Sequence, residues 1–145
     1  MRSRLVWQDK LERTFVLMLD AGEEITAALD EFAAGCDLAG AELSAQGAFE
    51  RATLGVFDLR RQAYRSIDLV RPELVSLTGE MLRPAAGRPR LHLHAVLDLG
   101  GQRRGGHLLR GIVRSGLELT VVEPPLVLRH RPRPDNRLAL VDPIV

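Results

Sequence analysis

Leu91-His92-Leu93-His94-Ala95-Val96-Leu97-Asp98-Leu99, followed after a glycine-bearing gap by Gly105-Gly106-His107-Leu108, is the stretch on which the reading of this chain turns. Side chains alternate between the two faces of a strand. His92 and His94 therefore share one face, and Leu91, Leu93 and Ala95 take the other. Such a segment is a half-buried strand with an apolar side for a core and a polar side carrying two imidazoles. Two imidazoles at that spacing can bind one metal ion, and imidazole suits zinc, nickel, copper and iron alike. Whether His107 joins them depends on the hairpin. An even, four-residue loop over 100–103 sets Leu99 opposite Arg104 and His107 opposite Val96, on the same face as His94. A loop one residue longer or shorter turns His107 to the other face.

Working outward, period-two patterning dominates. Residues 14–19 are a short apolar run, read as a first strand buried on both faces. Residues 43–49 and 53–59 read as strands joined by a hairpin turn at Glu50-Arg51, and 64–70, 73–82 and 91–99 read likewise. Residues 107–113, 117–122 and 126–129 continue the series, and 138–141 return as a short edge strand. Arg71-Pro72, Arg83-Pro84-Ala85-Ala86-Gly87, Gly100-Gly101 and Glu123-Pro124-Pro125 punctuate them, and 131–136 reads as a loop. One helix stands out over about 22–35. Asp20 is its expected N-cap, Glu23 and Glu24 lie in the first turn, Ile25, Leu29 and Phe32 recur at helical spacing, and Gly35 ends it. The expected fold is α+β, with a largely antiparallel mixed sheet of about seven or more strands and one main helix. Residues 1–145 read as a single domain with its core over 13–142.

Composition narrows the function. Twenty basic residues face nineteen acidic ones, for a net charge of +1. That balance gives no global attraction to nucleic acid or to anionic membranes. The lone cysteine, Cys36, forms no intramolecular disulfide, fits a reducing compartment and reads as a small buried thiol. Charges at Arg2, Arg4, Asp9, Lys10, Glu12 and Arg13 break any apolar leader, and no stretch approaches the ~18 apolar residues of a membrane span. A cytoplasmic protein without a membrane partner is expected.

Three histidines with no evident fourth ligand match an open zinc site. Such a site could activate water for hydrolysis, sense a metal or stabilise an oligomer. Glu73 and Glu118 are candidates for a fourth ligand or general base, and spacing selects neither. His130, between Arg129 and Arg131, reads as a surface residue. Arg129, Arg131, Arg133 and Arg137 are the only dense basic run, and they read as a solvated loop.

Pro89-Arg90-Leu91-His92-Leu93-His94-Ala95 with Gly105-Gly106-His107-Leu108 resembles the signature of the PPC domain (plants and prokaryotes conserved, also PCC). Gly22-Glu23-Glu24-Ile25, Leu43-Ser44-Ala45-Gln46-Gly47-Ala48, Ala52-Thr53-Leu54-Gly55 and Glu73-Leu74-Val75-Ser76-Leu77-Thr78-Gly79 resemble further blocks of the family. The likeness runs over roughly 13–142. It implies a sheet-rich fold with a long helix, a homotrimer, and a metal held by His92, His94 and His107. It names no reaction, and any small-molecule ligand stays unassigned. Arg71-Pro72-Glu73 departs from the Arg-Phe-Glu of plant members, and no AT-hook is present. Gly87-Arg88-Pro89-Arg90 resembles the AT-hook core superficially and reads as a plain turn. Three function classes follow: a metal-binding regulatory or ligand-binding module, a metal-dependent hydrolase-like enzyme, and a DNA-associated protein with weak, sequence-independent affinity.

Overall fold

The alternation of apolar and polar residues builds most of the chain into strands, seen here in a computed structural model that describes residues 1–10, 12–38, 40–82, 90–124, 130–132 and 139–141. In chain order the elements are β1 (Arg2–Gln8), β2 (Arg13–Leu19), α1 (Ile25–Cys36), β3 (Gly40–Asp58), β4 (Ala63–Val70), β5 (Glu73–Leu82), β6 (Arg90–Leu99), β7 (Gln102–Glu123), β8 (His130–Pro132) and β9 (Ala139–Val141). The first seven strands form one sheet in the order β1-β2-β7-β6-β5-β3-β4, with β7 also pairing β3. Every pairing within it is antiparallel. The fold is α+β, as the alternation predicts. The early half of β3 pairs β5, β5 pairs β6, β6 pairs the early half of β7, and β7 pairs β3. The ladder of these four strands thus returns to its start and encloses the core.

One expected turn and one expected gap between strands are absent. Glu50-Arg51 lies inside β3, and residues 114–116 lie inside β7. Register shifts between Gly47 and Phe49 and between Phe49 and Arg51 bend β3 without reversing it. Glu50 and Arg51 are polar because they are exposed, and local polarity reports exposure rather than chain reversal. The run over 14–19 is also not buried on both faces. Phe15, Leu17 and Leu19 face the core at 6%, 0% and 1% exposure, while Thr14, Val16 and Met18 are half-buried. Strand β1, ahead of the first strand read from the sequence, is exposed along its whole length, so no burial pattern announced it.

The helix begins later than Asp20. Gly22 N–H donates to the Val113 carbonyl at 2.8 Å, and Val113 N–H donates to the Glu23 carbonyl at 2.9 Å. These bonds hold Glu23 and Glu24 against β7, with Glu24 extended and bridged to Ile112, so helical geometry starts only at Ile25. Glu24 is the N-cap, accepting from the backbone N–H groups of Thr26 and Ala27. Asp20 instead pairs with Arg2 at 2.9 Å. Gly35 lies within the helix, which closes at Asp37, a left-handed residue with φ 50° whose N–H reaches the Ala33 carbonyl. Ile25, Leu29 and Phe32 bury 0%, 0% and 3% exposed, and Phe32 meets Phe15 edge-on at 5.2 Å. Cys36 is half-buried, more open than the buried thiol expected. Among the described residues no helix is long and apolar enough to cross a membrane. The turn over 83–87, the strand over 126–129, Gly87-Arg88-Pro89 and the side chains of the late arginine run lie outside the described residues. The short return over 138–141 is seen as β9, paired with β8 in a separate two-stranded sheet.

Candidate metal centre

Strand β6 divides its side chains as the alternation requires. Leu93, Ala95 and Leu97 are buried at 2%, 0% and 0% exposure, and His92 and His94 are exposed on the opposite face. The hairpin to β7 turns on Gly100 (φ 60°) and Gly101 (φ 87°) alone. Two residues at positive φ are the turn that matches the twist of an antiparallel pair. Leu99 therefore faces Gln102, Leu97 faces Arg104, and His107 faces His94. The four-residue loop expected over 100–103 is shorter by two. The number is still even, so His107 keeps the expected face while moving two residues along, from Val96 to His94.

The three imidazoles converge unequally. His92 Nε2 lies 3.0 Å from His107 Nε2, with the rings edge-on and 4.6 Å between centroids. At that separation one ring carries the proton on Nε2 and the other offers its lone pair. The His94 ring is 6.1 Å from that of His107. Among the described residues no three His, Cys, Asp or Glu side chains already stand in ligating geometry. Behind His92, Glu80 is its cross-strand partner on β5, and Glu80 Oε1 lies 3.6 Å from His92 Nδ1. That is ion-pair range rather than a hydrogen bond. His107 is half-buried. Burial first, then the neighbouring His92 and His94, hold its pKa below the usual imidazole value.

Close backbone approach makes this convergence possible. A Cβ on Gly106 would stand 2.7 Å from the Gly55 carbonyl oxygen, and one on Gly79 would stand 2.5 Å from the His92 carbonyl oxygen. Glycine is required at both places. At Gly105, by contrast, a Cβ would make only ordinary contacts of 3.7 Å and beyond.

Neither acidic candidate from the sequence is at the site. Glu73 faces Asp98 at the far end of β5 and is bound to Arg114. Glu118 faces Gln46 across β3 and β7 and accepts from its Nε2 at 3.1 Å. The carboxylate beside the histidines is Glu80, which sequence reasoning missed. Its position follows from the pairing of β5 with β6, whose connection carries no turn signal of fixed length. Tyr64 was missed as well. Its exposed ring lies 6.0 Å from His107 and 5.2 Å from Phe57, because β4 pairs the end of β3 that β7 also pairs. His130 opens β8, in the other sheet.

Comparison with known proteins places this fold. A metal-containing protein from Archaeoglobus fulgidus superposes with a TM-score of 0.78 at 26% identity, over 95% of this chain and 99% of that one. A plant- and prokaryote-conserved (PPC) protein from Pyrococcus horikoshii gives 0.76 at 26% identity, over 92% and 93%. A protein from Ralstonia eutropha named as a candidate for DNA binding gives 0.76 at 23% identity, over 90% and 91%, a likeness of fold alone. No curated protein matches. The model of the Plants and Prokaryotes Conserved (PCC) domain matches residues 8–124, which span the seven-stranded sheet from the end of β1 to the end of β7, and the chain belongs to that family.

Proposed function

We propose that this PCC-domain protein holds one divalent ion per chain through His92, His94 and His107, and that the loaded site serves a regulatory or ligand-binding role. The carrying observation is the pair of ring nitrogens 3.0 Å apart with a third imidazole on the same face. Zinc–nitrogen bonds of ~2.0–2.1 Å in a tetrahedron set two ligand nitrogens about 3.3 Å apart. The His92–His107 pair is close to that spacing, and a metal would replace the proton the two rings share. His94 is exposed, so its ring has room to rotate toward them. Glu80 backs His92 as outer carboxylates back metal-bound histidines. Zinc suits three neutral imidazoles best. When bound, the ion supplies positive charge and an open coordination position for an incoming donor. Glu73 and Glu118, the carboxylates that a hydrolytic reading would have used as base, stand elsewhere on the sheet, and Glu80 lies against His92 Nδ1 as an orienting group, which favours binding over hydrolysis. The metal-containing relative from Archaeoglobus fulgidus supports the same reading.

The assembly we propose is a homotrimer, working in the cytoplasm. Leu5, Val6 and Trp7 on β1 are 44%, 50% and 48% exposed, and Val75 is 49% exposed. Apolar surface of this kind is usually covered by a neighbouring subunit. Light scattering should give about three times 16.0 kDa, and a persistent monomer would refute the trimer. With a net charge of +1, DNA should bind no tighter than about 10⁻⁶ M at physiological salt.

Elemental analysis of protein purified without chelator tests the site. About one ion per chain is expected in the wild type and in His130→Ala, and little in His92→Ala, His94→Ala or His107→Ala. Binding should weaken as pH falls through ~6.5, since a protonated imidazole cannot coordinate. Wild-type protein that stays metal-free after refolding with zinc would sink the proposal.

A further inference from the structure

The outer face that carries the histidines continues along β3, β4 and β7. Gly55 stands between His107 and Ser66. Two residues on, Thr53 stands between Arg110 and Asp68, and Arg51 then stands between Ile112 and Val70. These last two rows line a groove of about 370 Å³. Arg51 and Arg110 project from adjacent strands as diagonal neighbours, about 7–8 Å apart at the backbone. Two like charges so placed repel unless an anion lies between them.

Several arginines elsewhere on the sheet meet carboxylates, Arg2 with Asp20, Arg13 with Glu123, Arg71 with Glu50, Arg103 with Asp98 and Arg114 with Glu73, while others such as Arg4 and Arg65 stand singly on exposed strand positions. Arg51 and Arg110 have no hydrogen-bond or ion-pair partner among the described residues. The one carboxylate in the groove, Asp68, accepts from the Thr53 hydroxyl at 2.7 Å and lies in ion-pair range of neither guanidinium. Val70, 56% exposed, and Ile112 add an apolar wall.

We infer that this groove binds a small organic oxyanion, a carboxylate or a phosphate, with its charged group between Arg51 and Arg110 and its carbon skeleton against Val70 and Ile112. Guanidinium groups present paired donors in the fork geometry that such anions accept. Arg110 is three residues from His107, about 10 Å of strand, so the groove opens beside the metal centre without sharing a residue with it.

The test uses the full chain stripped of metal, so that its failure and that of the metal site are distinguishable. Inorganic phosphate and hexanoate are titrated separately at millimolar concentration, read by calorimetry and by the backbone amide resonances of Arg51, Thr53, Asp68 and Arg110. Saturable shifts at those amides are expected with at least one probe, and the tighter probe identifies the anion. Arg51→Gln and Arg110→Gln should each weaken binding about tenfold, the scale of a hydrogen bond to a charged group. Both side chains are exposed, and unchanged circular dichroism will confirm the fold. No shift in the wild type with either probe overturns the inference, as does wild-type affinity in both variants. A loss of oligomeric mass in either variant also overturns it, by assigning the groove to a subunit contact.

Discussion

The late half of β7, over 117–123, runs between β2 and β3 and points Leu117, Leu119 and Val121 into the core, each 0% exposed. The early half, over 102–113, runs between β6 and β3 and turns Gly106 and Gly111 inward beside Leu108 and Val113, where the late half contributes bulk throughout. Its chemistry points outward, in His107 and Arg110. The ladder of backbone hydrogen bonds is common to both halves, so it cannot be what separates scaffold from site. The inward residues differ. Large ones hold neighbouring layers apart and fill the space, whereas glycines let neighbouring strands close in and bring side chains from β4, β5, β6 and β7 to one place. A Cβ on Gly111 would stand 2.7 Å from the Phe49 ring, so the aromatic ring supplies the filling that residue 111 does not.

The contrast can be broken at either end. Leu119→Ala should have the largest effect, costing about 2–5 kcal/mol as a buried leucine cavity does. Chemical denaturation would measure it, and metal per folded chain should not change. Lost metal in that variant would mean that the two halves are not separable. Gly106→Ala comes next. Its methyl would meet the Gly55 carbonyl, at a cost of about 1–3 kcal/mol of overpacking. Because β3 and β7 must part there, metal occupancy should fall as well. An unchanged melting temperature would show that the glycine is not needed for the approach.

Glu80→Gln sharpens the comparison further. It should weaken metal binding about tenfold, the low end for an outer carboxylate, and leave the metal-free protein as stable as before. Competition with a chromophoric chelator would read it, and an affinity equal to wild type would remove Glu80 from the site. The smallest effect lies in acid. Glu24 is held below the usual carboxylate range. Burial alone would raise it, but the Thr26 hydroxyl and the backbone N–H groups of Gly111, Ala27 and Thr26 outweigh burial. A folded value below the unfolded one means stability that is present above about pH 4.3 and lost as pH falls through the folded value. Glu24→Gln should flatten that acid limb of the stability curve and leave its slope near neutral pH as in the wild type. An acid limb as steep as wild type would place the titrating group elsewhere.

Much of the site was legible. Alternation alone put His92 and His94 on one face, because the side-chain period of a strand is two whatever the strand pairs with. The parity of the hairpin put His107 on that face too, although its position was two residues out. The signal for the correct register was present in Gly100-Gly101, since two adjacent glycines can both take positive φ and close a two-residue turn. Glu80 and Tyr64 were not legible, because each reaches the site through a strand pairing that no local pattern encodes. The merged strands β3 and β7 were read as pairs of strands for a related reason. The polar residues at Glu50-Arg51 look the same in a turn as in an exposed stretch of continuous strand.

By itself the sequence determined the α+β class, the apolar inner faces, the single helix over its central turns and two of the three imidazoles as neighbours. These depend on periodicity, which is local and survives any change of partner. Tertiary structure alone decided that His107 faces His94, that Glu24 rather than Asp20 caps α1, and that Arg51 and Arg110 share one groove. Each of these depends on contacts between residues far apart in the chain, fixed by which strands close the ladder and in what register. A shift of one residue in that register would preserve every local pattern and disperse the site.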